Sequence, residues 1–270
     1  MAVVIPILII LCLAALYLWL IMPRVSSGSD MALVFYDYAH RGLFDNRKIP
    51  ENSIGAFRKA MEKGVGMELD LQLTKDGRVV VFHDYTLERM CGKKVLLSSL
   101  TWEELKQERL LGTEYGIPLF EEVLNLVDGR VPLLIELKGE DKNDELCWKT
   151  APLLDAYSGE FCLESFNPLL LRWFVKHRPD MLRGQLVTNT LEEQPKRNKL
   201  VNFFLTYMLL NFLSRPDFIA CDGRYQKGLS FFVCRKIFKT PFFMWTVKKK
   251  ELLVYNHRRG DRSIFEGFEP

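Results

Sequence analysis

No pair of cysteines in this 270-residue chain has the Cys-x-x-Cys spacing of a structural zinc site. The six cysteines, at 12, 91, 147, 162, 221 and 234, follow no disulfide framework either. Cys12 lies in an apolar amino-terminal stretch, leaving an odd five for the folded part. These read as reduced thiols and favour a domain facing a reducing compartment. Strong charge of one sign is also missing. Lys and Arg number 37 against 34 Asp and Glu, a net charge of +3 that is too small to argue for a nucleic-acid partner. The local basic clusters at 248–250 and 257–259 read as solvated surface, with attraction to an anionic membrane surface as the alternative. No internal repeat or low-complexity run stands out. Residues 1–22 hold no charged side chain at all.

That uncharged stretch is the first positive feature. It is rich in Leu, Ile and Val, with Tyr17 and Trp19 near its far end. About 20 apolar residues span a bilayer as a helix. A secretory signal would show a basic start and a shorter apolar region. Residues 1–23 are therefore expected to be a single membrane anchor, and 24–32 a linker. Arg24 follows the span, so the positive-inside rule leans towards a cytoplasmic folded domain, with the extracytoplasmic side as the alternative.

With 48% hydrophobic and 26% charged residues, the remainder is long enough for one large core. Its apolar runs alternate between strand and helix. Strands are expected at 33–40, 66–73, 79–83, 131–137, 161–165, 184–188, 218–221, 242–247 and 264–268. Helices are expected at 54–63, 119–126, 144–157, 168–177, 200–213, 229–238 and 251–259, with an insertion at about 87–118 that contains a capping-box pattern and a short helix near Thr101. Repeated strand–helix units of this kind predict a TIM (β/α)8 barrel over 33–270. Nine strand candidates are one too many for it. The turn at 75–77 is too short for a crossover helix, so 66–73 and 79–83 should pair as a hairpin, or one of them lies outside the barrel.

Three strand ends carry titratable groups. Glu68 and Asp70 are two apart on a strand, so both point to one face. Two carboxylates there repel and are costly to desolvate unless a metal ion or an arginine sits between them. His40 ends the preceding apolar run and His83 the following one. Together they have the pattern of a site at one mouth of a parallel barrel. The other two histidines, His177 and His257, lie among basic residues on helices and read as surface.

The motifs His40-Arg41-Gly42, Pro50-Glu51-Asn52-Ser53, Glu68-Leu69-Asp70, Thr74-Lys75-Asp76-Gly77 and His83-Asp84 resemble, in order and spacing, those of the glycerophosphodiester phosphodiesterase family. Glu136-Leu137-Lys138, Ser165-Phe166 and Trp245-Thr246-Val247 extend the resemblance to about residue 247. It implies Glu68, Asp70 and Glu136 as ligands of Mg²⁺ or Ca²⁺. It implies His40 and His83 as general acid and base, a role suited to a pKa of about 6.5. Arg41 and Lys138 would bind the phosphate, Trp245 would line the pocket, and Glu51 would support the metal site or favour a helix start. The implied reaction is metal-dependent hydrolysis of a glycerophosphodiester to glycerol 3-phosphate and an alcohol. Lysophospholipase D-like cleavage of membrane lysolipids is a variant, a decayed membrane-tethered binding protein is the other class, and the H-R-G and E-L-K contexts argue against a phosphoinositide-specific phospholipase C. Two departures, Lys248 after the W-T-V and the run Phe265-Glu266-Gly267-Phe268 at the end of the last strand, are expected on the substrate side, away from the metal ligands. The apolar run 203–213 is read as core, or as a surface touching the bilayer.

Overall fold

The computed structural model describes residues 4–24, 33–139 and 144–270. Its elements in chain order are α1 (Val4–Ile21), β1 (Tyr38–Ala39), α2 (Ile54–Glu62), β2 (Gly66–Leu73), β3 (Val79–Val81), α3 (Glu88–Cys91), α4 (Trp102–Leu105), α5 (Phe120–Val127), β4 (Leu133–Leu137) and α6 (Glu145–Asp155). They continue with β5 (Phe161–Ser165), α7 (Pro168–His177), β6 (Arg183–Val187), α8 (Thr190–Glu193), α9 (Lys199–Thr206) and α10 (Asn211–Ser214). The last are β7 (Phe218–Asp222), α11 (Leu229–Phe232), β8 (Phe242–Val247), α12 (Lys250–Arg258) and β9 (Arg262–Phe265). All strands but β3 pair in parallel around a ring, and β1 closes it by pairing with both β2 and β9. The ring is a TIM barrel. β3 is the surplus strand. It folds back antiparallel on β2, with Leu73 opposite Val79 and Leu71 opposite Val81.

Successive side chains on a strand face opposite ways, so each barrel strand feeds two cores. On β2, Met67, Leu69 and Leu71 join Phe57, Ala60, Phe120 and Val123 between barrel and helices. Inside the ring, Tyr38, Leu134, Cys162, Phe218, Phe243 and Ile264 form a second apolar cluster. Gly184 on β6 makes room for it: a Cβ there would lie 2.0 Å from the Phe218 ring. Gly184→Ala is expected to cost about 1–3 kcal/mol through overpacking. The check is a lowered denaturation midpoint at unchanged slope.

Local signals start and stop the helices. The Ser53 hydroxyl accepts from the Ala56 N–H at 3.2 Å and caps α2, and Gly64 in the left-handed region (φ +63°) ends it. Asn167 caps α7 with Pro168 in its first turn. Thr101 begins α4, with Glu104 reaching back to its N–H at 2.8 Å. The insertion carries its own small core, in which Leu87, Met90, Leu97 and Leu105 pack on Val80 and Phe82.

Three expectations are corrected. The 33–40 strand shrinks to Tyr38–Ala39, because Leu33 and Val34 are apolar for another reason: they join the barrel-interior cluster, with the Leu33 carbonyl accepting from the Tyr38 hydroxyl at 3.0 Å. The helix expected at 200–213 breaks into α9 and α10, with Met208 between them at φ +59°. The helix expected at 229–238 is a short α-helix running into one π turn, Val233–Ile237. All six cysteines are free thiols. Most of the expected 24–32 linker lies outside the described residues.

Candidate active site

Strand register brings the acids together. Asp70 on β2 lies opposite Glu136 on β4, and Glu136 opposite Glu164 on β5. Glu68 is two residues back on β2, on the same face. All four carboxylates are buried. Glu68, Asp70 and Glu136 each present an oxygen within 4.8 Å of the others. Glu164 Oε2 is buried without a hydrogen-bond partner among the described residues.

Such crowding is costly, and the titration of the group reflects it. Burial, then repulsion from Asp70 and Glu136, pushes Glu68 well above the usual carboxylate range. Burial and Glu136 do the same to Glu164. Burial also raises Glu136, against the pull of Lys138. Asp70 moves the other way: burial opposes its charge, but Lys138, His83 and Arg41 outweigh burial and hold it well below its ordinary value. The contacts agree. Lys138 Nζ lies 2.9 Å from Asp70 and 2.9 Å from Glu136. Asn52 Nδ2 donates to Asp70 at 2.7 Å, and the Arg41 N–H donates to Glu68 at 2.9 Å. Two cations, Arg41 and Lys138, thus face four carboxylates. An all-oxygen donor set short of positive charge fits a hard divalent cation.

Both histidines are anchored through Nδ1. His40 Nδ1 lies 2.7 Å from Glu266 Oε2, and Lys248 Nζ lies 2.7 Å from the other Glu266 oxygen. The hydrogen bond from His40 holds Glu266 down to about 2. Burial lowers His40 despite that partner. His83 Nδ1 lies 2.7 Å from Asp84, which Arg89 grips at 2.7 Å. An ionised carboxylate only accepts, so each Nδ1 carries a proton and leaves Nε2 for the cleft, an acceptor on a neutral ring and a donor on a charged one. A cleft of about 100 Å³ is lined by His40, Arg41, Glu68, His83, Glu136, Lys138 and Trp245.

The sequence-expected residues thus converge on one mouth of the barrel, with two adjustments. Glu51 does not cap α2, since Ser53 does. It is a buried hub, 2.6 Å from Arg41 and 2.7 Å from Arg89, and is held at about 2 because these arginines outweigh its burial. Arg41, Glu51, Arg89 and Asp84 therefore form a continuous chain from Arg41 to His83. Lys248 and Glu266 are not remote from the chemistry, because together they hold His40. Trp245 lines the cleft edge-on to Phe166, ring centroids 5.6 Å apart. His177 and His257 are exposed and away from the site. Glu164, Asn52, Asp84 and Arg89 were given no role from the sequence. Glu164 had a signal, the same parity on its strand as Glu136 on the preceding one. Arg89 had none.

Residues 40–250 match the glycerophosphoryl diester phosphodiesterase family model. A glycerophosphodiester phosphodiesterase of Caldanaerobacter subterraneus subsp. tengcongensis is 42% identical over 226 residues, 79% of this chain and 86% of that one. One from Bacillus altitudinis is 44% identical over 108 residues, which span 43% of that protein. Among solved structures, an Oleispira antarctica phosphodiesterase in complex with the product sn-glycerol-3-phosphate superposes with a TM-score of 0.71 at 22% identity, covering 87% of this chain and 94% of that one. A glycerophosphodiester phosphodiesterase of Thermotoga maritima superposes at 0.64 with 28% identity, over 84% and 92%. By the family match across most of its barrel and the relative aligned over most of both lengths, the chain belongs to the glycerophosphoryl diester phosphodiesterase family.

Proposed function

We propose that this barrel hydrolyses glycerophosphodiesters to glycerol 3-phosphate and an alcohol, with Glu68, Asp70 and Glu136 holding Mg²⁺ or Ca²⁺. The observation that carries the reading is the buried carboxylate trio beside a cleft lined by two histidines, each anchored at Nδ1. When bound, the cation would neutralise phosphate charge and favour ionisation of a hydroxyl near phosphorus. The chain's own residues do the rest. Arg41 and Lys138 bind phosphoryl oxygens and orient the diester. His40, kept neutral by burial, takes at Nε2 the proton of the glycerol hydroxyl beside phosphorus as that oxygen bonds to phosphorus and closes a cyclic phosphate, which water then opens to glycerol 3-phosphate. Glu266 stabilises the imidazolium that forms. His83 delivers a proton to the departing alkoxide, with Asp84 holding its ring. A decayed binding protein fits less well, because His40, His83, Arg41, Lys138, Glu68 and Glu136 line one cleft, with Asp70 buried beside them.

The product-bound neighbour from Oleispira antarctica supports a small phosphodiester as substrate. Glycerophosphocholine assayed with Mg²⁺, with Ca²⁺ and with EDTA tests the reading. Turnover should require one of the two cations and vanish in EDTA. Full turnover in EDTA would overturn the metal assignment.

α1 is a candidate span of mean hydropathy 2.9, and we assign it as the membrane tether. Arg24 and the free thiols favour a cytoplasmic barrel. Protease protection of the barrel in sealed inside-out vesicles would contradict that orientation.

A further inference from the structure

The small catalytic cleft lies beside a second cavity seven times its size. That cavity has a volume of about 710 Å³, within the usual range of about 300–1,000 Å³ for a small-molecule site. The two share His83, Glu136, Lys138 and Phe166 as a common wall. Away from that wall the lining of the larger cavity is mostly apolar, with Leu169, Val201, Leu205, Leu210 and Leu213 beside the polar Asn167, Gln194 and Arg197. A soluble glycerophosphodiester is polar along its length and gains nothing from such a lining. We infer that the groove seats the single acyl chain of a lysophospholipid while its phosphodiester lies at His83 and Lys138. This inference rests on the phosphodiesterase reading and names a substrate class for it.

The placement of the anchor supplies the second argument. Leu210 and Leu213 line the groove, and the two residues between them hold α1. Asn211 Nδ2 donates to the Ile21 carbonyl at 3.2 Å, and Phe212 stacks on Trp19 at 4.8 Å. The groove therefore ends one helix away from the apolar segment.

The direction of α1 supplies the third. The Arg24 N–H donates to the Pro216 carbonyl, just before the amino-terminal end of β7, at 3.0 Å. Tyr17 Oη lies 2.9 Å from Ser230 Oγ in α11, which follows the carboxyl end of β7. Traced back from Arg24, α1 thus runs from the far end of the barrel towards the catalytic end. Val4 to Leu16 continue past it for about 20 Å at 1.5 Å per residue, with their large apolar side chains exposed. That is short of the roughly 30 Å of a bilayer core. Sinking the exposed rim of Leu200, Phe203, Leu229 and Phe232 into the near leaflet reduces the shortfall. The catalytic mouth and its groove then open at the lipid surface, where single-chain lipids reside.

The test uses the full-length protein in an amphipathic polymer, with Mg²⁺ or Ca²⁺. Its substrates are glycerophosphocholine and a homologous series of short-chain lysophosphatidylcholines kept below micelle formation. Wild-type kcat/KM should rise with chain length towards roughly fourfold per methylene, the factor for burying one CH₂. Leu205→Trp, which fills the groove, should flatten that slope. So should Val201→Asp, a change at an exposed position that the fold tolerates. Turnover of glycerophosphocholine with a chain-length-independent series would overturn the acyl site alone, as would a slope that survives both substitutions. No turnover of any diester would overturn the phosphodiesterase reading and the inference with it.

Discussion

His83→Ala should lower kcat for glycerophosphocholine by about 10²–10⁴-fold, the usual contribution of a positioned acid or base. His40→Ala should do the same. The reason is geometric. Each ring has its Nδ1 fixed at 2.7 Å from a carboxylate, so each offers a single oriented nitrogen to the cleft. His83 sits at a strand end with its side chain one-third exposed, so its removal should leave the melting temperature nearly unchanged. The double variant should be little worse than the poorer single one, because acid and base act on one transition state. A His83→Ala protein that keeps near-normal turnover would show that the proton donor lies elsewhere.

Glu68→Gln should have two effects of opposite sign. Without a divalent cation it should stabilise the fold, by about 0.5–2 kcal/mol, a common gain when a strained active-site group is relieved. Burial and the neighbouring acids raise Glu68 above its unfolded value, so folding must either protonate it or bury its charge beside the others, a cost the amide does not carry. With cation present the order should reverse. The variant should bind Mg²⁺ or Ca²⁺ more weakly by at least the roughly 10–100-fold that loss of a supporting partner costs. The wild type then gains stability from ligand binding that the variant cannot match. Thermal melts with EDTA and with saturating cation should therefore cross. A Glu68→Gln protein that melts below wild type in EDTA would mean that the trio is held by hydrogen bonding rather than strained by charge.

Much of this site was legible because the barrel enforces a simple rule. Inward residues come at every second position and strands follow in order. Glu68 and Asp70 on one strand, Glu136 and Lys138 on a later segment of the motif series, and histidines at two strand ends sufficed to place the mouth. What stayed hidden was set by register and by long side chains. Glu164 aligns with Glu136 only once β4 and β5 are paired. Arg89 joins the site from the insertion, through side-chain reach that no periodicity encodes. Lys248 and Glu266 looked like departures at the substrate edge, and their contact with His40 depends on β8 and β9 meeting β1 where the ring closes. The apolar run at 203–213 was ambiguous for a physical reason. It is core-like on composition, yet it divides its faces between a groove and the anchor.

The most direct measurement is anomalous scattering from a crystal of the full-length protein grown with Mn²⁺, a redox-stable stand-in for Mg²⁺ at oxygen ligands. A single strong peak among the carboxylates of Glu68, Asp70 and Glu136, with His40 and His83 on either side of the adjoining cleft, is the expected result. No peak there at saturating Mn²⁺, with Lys138 still lodged between Asp70 and Glu136, would contradict it.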